Sequence, residues 1–188
     1  NNATVGSQFT VDATNVYPFT LPLAATLSNG NVVVAWRNGI GATSGLTAQI
    51  YTPGGATVGA PIEWGANMPG QFETTMKSLV ALSDNGFAIG VGAVNVPGST
   101  VVGSVLVYAN DGSALYDYEV VNQPIPAGDF WMSLTSGPDN GITAVWTTSN
   151  DGSGTGVKAL ALSPFGNPVD TEFTVPTQTG GNQSVPVA

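Results

Sequence analysis

NGNVVVAW, residues 29–36, reads as a tight turn that releases a hydrophobic strand ending in Trp. The pattern returns as DNGFAIGV at residues 84–91 and as DNGITAVW at residues 139–146. Asn31, Gly86 and Gly141 are equivalent, which sets a spacing of 55 residues, twice over. Trp36, Val91 and Trp146 fall in one register. Two equal spacings with the turn chemistry kept identify a tandem repeat, and that decides the architecture before any single residue is weighed.

On both sides of this strand the same unit recurs. Before it lies a strand with small residues: PLAATL at 22–27, KSLVAL at 77–82, WMSLTS at 131–136 and SVPVA at 184–188. After it comes LTAQIY at 46–51, VGSVLVY at 102–108 and VKALAL at 157–162. A fourth, alternating segment is ATVGSQFTV at 3–11, ATVGAPIEW at 56–64, LYDYEVV at 115–121 and VDTEFTV at 169–175. Alternation of this kind is the signature of a half-buried strand. The Asn-Gly dipeptides predict two-residue hairpin turns, because both residues tolerate positive φ. Four short antiparallel strands per unit predict an all-β chain of β-propeller-like blades, about 3.5 repeats in one repeat domain spanning 1–188. The units run approximately 3–55, 56–113, 114–168 and, in part, 169–188. The hydrophobic strand of each unit is expected to be buried on both faces, with Trp36, Trp146, Val34, Ile89 and Ala144 in the core between sheets.

Composition agrees with an all-β chain and excludes several functions. Apolar residues make up 42% and charged residues only 8%, against a usual charged share of about 25%. The net charge of −9, with Arg37, Lys77 and Lys158 the only cations, repels phosphate backbones and anionic lipid surfaces. No nucleic-acid partner and no membrane insertion are expected. The chain has neither Cys nor His, so thiolate chemistry and the usual general base near neutral pH are missing. The sequence begins at Asn1, which leads us to expect a processed chain or a piece of something larger.

The stretch from Asn140 to the end resembles repeats of roughly 50 residues in large secreted or surface bacterial proteins, often found beside calcium-binding, glycine- and aspartate-rich repeats. Its elements are matched at Gly141–Trp146, Asp151–Gly156, Phe165–Val169, Glu172–Val175 and Gly181–Ala188. The match covers about a quarter of the chain well, and the second unit lacks the Trp. The resemblance implies an extracellular, propeller-like repeat protein, secreted or held at the cell surface. It implies no single activity.

Four kinds of site are worth weighing. Asn150 and Asp151 in one loop and Asp111 in another offer hard oxygen ligands, the kind Ca²⁺ takes. Each loop holds one carboxylate, however, and Asp-Gly is also an ordinary turn former. No other cofactor is expected. Trp64, Trp131, Tyr116 and Tyr118 lie on or beside the fourth strand, near acidic residues, where aromatic faces could stack a glycan or seal one sheet to the next. Asp117 and Glu119 share a strand face, but paired carboxylates without further machinery do not make a glycosidase. No catalytic residue is assigned and no enzyme activity is expected. Asn2-Ala3-Thr4 and Asn182-Gln183-Ser184 are glycosylation triplets.

The leading expectation is a structural or adhesive extracellular protein. It would self-assemble through its incomplete end units, as a homo-oligomer or within a longer repeat array. A carbohydrate-binding module is the alternative, and a polysaccharide-acting enzyme the remote one.

Overall fold

The computed structural model describes residues 8–11, 22–38, 45–64, 72–84, 86–95, 101–123, 130–137, 139–149, 154–175, 181 and 186–188. Among them every regular element is a strand. The first sheet holds β1 (Leu23–Thr26), β2 (Val32–Asn38), β3 (Gly45–Tyr51) and β4 (Thr57–Trp64). The second holds β5 (Phe72–Ala81), β6 (Phe87–Asn95), β7 (Val101–Tyr108) and β8 (Ala114–Gln123). The third holds β9 (Met132–Ser136), β10 (Ile142–Thr148), β11 (Gly156–Leu162) and the short β12 (Phe173–Thr174). Every pairing is antiparallel between sequence neighbours. Each sheet takes its fourth strand from the start of the next sequence unit. The three sheets remain open and do not close on one another.

The hairpins are built from one recurring turn. In the third-to-fourth strand connections, Gly55, Gly112 and Gly166 all stand at φ 86°. Their amides donate to Thr52 O at 2.9 Å, Ala109 O at 3.1 Å and Ser163 O at 2.9 Å. A turn closed by one left-handed residue is the three-residue hairpin loop, and Gly meets that need without a Cβ clash. The first-to-second strand turns of the first and third sheets use the same device, which corrects the two-residue reading of Asn29-Gly30 and Asn140-Gly141. Among the described residues of these turns, Gly30 (φ 86°) and Asn140 (φ 64°), 110 residues apart and equivalent in the repeat, are the left-handed ones. The preceding acidic or amide residue closes each turn. Asn29 Oδ1 accepts from Asn31 N at 2.9 Å, Asp84 Oδ1 from Gly86 N at 2.9 Å, and Asp139 Oδ1 from Gly141 N at 3.1 Å. These are Asx turns.

Alternation along the strands assigns faces. Val33, Ala35, Leu46, Ala48 and Ile50 of the first sheet form one core with Phe87, Ile89, Val91, Leu106 and Tyr108 of the second. The opposite face of the second sheet, with Ala88, Val105 and Val107, packs on Phe130, Met132, Leu134, Ile142, Ala144, Trp146 and Leu160. Burying each large apolar side chain contributes roughly 1.5–3 kcal/mol. Glycines make the second interface fit. A Cβ on Gly92 would lie 2.7 Å, and on Gly103 2.6 Å, from the Phe130 ring, and one on Gly90 2.9 Å from Met132 Sδ. Phe130 and Met132 occupy the space that those missing side chains leave.

The first strands line up across sheets, β1 beside β5 and β5 beside β9. Hydrogen bonds at repeat spacing tie them. Ser28 Oγ donates to Ser83 O at 2.9 Å, Ser136 Oγ to Ala81 O at 2.9 Å, and Leu134 N to Ser78 Oγ at 3.1 Å. The expectation that the hydrophobic strand is buried on both faces fails for β10. Ile142 and Ala144 on one face are buried, while on the other Thr143 is exposed and only Thr147, further along, is buried.

Candidate functional site

One contact repeats along the molecule and then stops. Phe9 seats on the first sheet's turn, where a Cβ on Gly55 would lie 2.9 Å from its ring. Ile62 of β4 seats on Gly112, at 3.2 Å, and Tyr116 of β8 on Gly166, at 2.8 Å. The left-handed glycine that the hairpin requires thus doubles as a socket, since any side chain there would fill it. Register places Ile62 opposite Ala48 and Val58 opposite Ile50. Phe173 opposes Ala159 in the same way, and Val169 N donates to Ala161 O at 2.9 Å. Val58 and Ile62 are half-buried against the first core and Tyr116 against the second. Their counterparts Val169 and Phe173 are 68% and 58% exposed, with Phe165 at 61% and Val175 at 48% beside them in sequence. Val169, Phe173 and Val175 therefore face solvent at the outer edge of the third sheet, and Phe165 does so in the turn between β11 and β12.

Residues 186–188 lie on the same sheet. Ala188 N donates to Ser133 Oγ at 3.1 Å, as Leu134 N donates to the equivalent Ser78 Oγ. Val187 is 85% exposed. This terminal segment sits on β9 as β9 sits on β5.

A second feature is a groove of about 560 Å³ between β4 and the turn at Asp111–Ser113, with Pro61, Glu63, Trp64, Tyr108, Asp111 and Ser113 in its wall. Trp64 is half-buried and packs against the first core, so only part of its ring faces the groove. Asp111 Oδ1 accepts from Ser113 N at 2.8 Å and from Ser113 Oγ at 2.7 Å. Those two bonds hold its carboxyl below the ordinary carboxylate range. Tyr108 stacks on Phe87 at 5.3 Å. Burial, with the nearby Asp117 charge, pushes its phenol up to about 12.

The remaining expected site residues scatter. Trp131 is 44% exposed, but the Lys77 ammonium stands 5.5 Å from its ring and 5.9 Å from that of Phe130. One face of Trp131 is thereby engaged in a cation–π contact, and burial lowers the Lys77 pKa. Lys77 is the residue skipped at the register shift of β5, which aims it between these rings. Tyr116 is a seat contact, as above. Tyr118 of β8 pairs with Val105 of β7, and its side chain lies outside the described residues. Asn150, Asp151 and both glycosylation triplets also lie outside them, Ser184 included. Among the described residues no three His, Cys, Asp or Glu side chains gather where they could hold a metal. Of the residues expected in the core, Trp146, Ile89 and Ala144 are 1%, 4% and 0% exposed, Trp36 is 9% exposed, and Val34 is half-buried.

Sequence reading passed over Phe165, Val169, Phe173 and Val175, and with them Glu63, Tyr108 and Ser113 of the groove. A signal for the first group was present. Phe-Thr-Val stands at both 9–11 and 173–175. No protein-family model matches this chain, and no curated protein sequence matches it.

Proposed function

We propose that this chain is a structural or adhesive repeat protein, secreted or displayed at the cell surface, whose sheets are the blades of a propeller-like array. It works by joining further protein at the outer strand of the third sheet. The observation that carries this reading is the exposed pair Val169 and Phe173, whose first-sheet counterparts Val58 and Ile62 are half-buried against the first core. Contiguous exposed apolar surface of this kind marks an interaction site. Sedimentation velocity over a range of concentrations tests it: association is expected, and a lone monomer throughout, with no binding to other repeat domains, overturns it.

The groove beside Trp64 favours a second reading, binding of a neutral glycan. An indole face next to carboxylate and hydroxyl groups offers stacking together with hydrogen-bond acceptors. A glycan array checks this directly. Binding should fall in Trp64→Ala, and silence on every glycan removes the reading.

A further inference from the structure

We propose that the outer strand of the third sheet docks on the first sheet of a second copy of this chain. In that contact Phe173-Thr174-Val175 takes the seat that Phe9-Thr10-Val11 holds on the Tyr51–Gly55 turn. The proposal rests on the association reading above and names its partner.

Plug and socket are both present in one sequence. The socket is Gly55, left-handed and without a Cβ, flanked by Tyr51. Phe9 lies 5.2 Å from the Tyr51 ring, and the Tyr51 hydroxyl donates to Val11 O at 3.2 Å. These contacts read a Phe, a residue beyond it, and a backbone carbonyl two positions on. Residues 173–175 repeat that tripeptide and leave it exposed. The resident plug is loosely held. Phe9 is 46% exposed, Gln8 and Thr10 are exposed, and none of the three belongs to a strand. By contrast Ile62 and Phe173 come from paired strands. Replacing a loosely held segment with the same residues on a hydrogen-bonded strand keeps the local contacts, and it covers Val169 in addition.

The contact joins the tail of one copy to the head of the next, so it is heterologous: it closes a ring or extends a filament, according to the rotation per copy. Each copy carries a net charge of −9. Copies therefore repel at long range, while the contact itself is apolar. Association should strengthen with added salt, the reverse of an adventitious charge contact.

The test uses the whole chain with benzoylphenylalanine in place of Phe173, mixed with an isotope-labelled wild-type copy and irradiated. Cross-links from position 173 to residues 51–55 of the labelled copy are expected. Phe173→Asp should weaken self-association about tenfold or more without moving the thermal melt, since the side chain is exposed. Association that survives Phe173→Asp, or cross-links that land elsewhere, overturns this seat and leaves the association reading standing. A monomer at every concentration and salt overturns both.

Discussion

The face between the second and third sheets and the outward face of the third are built from the same repeat, yet they differ in what they present. On the inner face, Phe130 lies over Gly92 and Gly103, Met132 lies over Gly90, and Trp146 is buried to 1%. On the outward face, Thr143 and Ala161 are exposed and the outer strand offers Val169 and Phe173 to solvent. The repeat thus fixes where a contact is made, while the neighbour decides whether it is buried. A residue at a seat position counts as core in one sheet and as docking surface in another.

Substitutions test this contrast. Trp146→Ala should have the largest effect, a loss of roughly 3–5 kcal/mol, because a large buried side chain leaves a cavity that the sheets cannot close. Chemical denaturation would measure it. Gly103→Val comes next, at about 1–3 kcal/mol, since its Cβ would overlap Phe130. The double variant Gly103→Val with Phe130→Ala should lose less than the sum of the singles, and simple additivity would refute the glycine-slot account.

The interface between the first and second sheets should respond to alkali. The Tyr108 phenol is raised to about 12 in the folded chain, while in the unfolded chain it titrates near 10. Between these values the unfolded chain gives up its proton first, so stability is full below pH 10 and falls as pH rises towards 12. A series of melts should show this loss in wild type and a flatter limb in Tyr108→Phe. Lys77, whose folded pKa is lowered, has the opposite sign: it adds stability as pH climbs towards its unfolded value, so both residues belong in the comparison. The smallest effect belongs to the outward face. Val169→Ser should change monomer stability by no more than about 0.5 kcal/mol, and a larger loss on denaturation would show that this face is already covered.

Much of the architecture was legible in the sequence. The spacing from Asn31 to Gly86 to Gly141 located three equivalent hydrophobic strands, and alternation located the strands that follow them. What periodicity could not supply was the relation between sheets. Nothing in a 55-residue spacing says that Gly55, Gly112 and Gly166 serve as sockets, because a glycine required by a hairpin looks the same whether or not a side chain sits above it. The aromatic residues were legible as a class and not as roles. Trp131 reads as a free stacking face until the skipped residue in β5 brings Lys77 over it, and a register shift of one residue leaves no mark in composition. Asp84 and Asp139 belong to the turn pattern in the sequence, but only the structure shows their carboxylates accepting from the amides two residues on. The groove joins residues 61–64 to residues 108–113, and only the packing of one sheet on the next brings those segments together.

Among the described strands, each sheet is made from four that follow one another along the chain, with none borrowed from another sheet. That bears on how the molecule acquires its shape. Every hairpin closes over a short loop, so the entropy lost in forming a sheet is local and small, and any of the three can nucleate first. The slow event is the later meeting of faces, when Phe130 finds its glycines and each seat its plug. A chain emerging during synthesis would complete its first sheet while the third was still unmade.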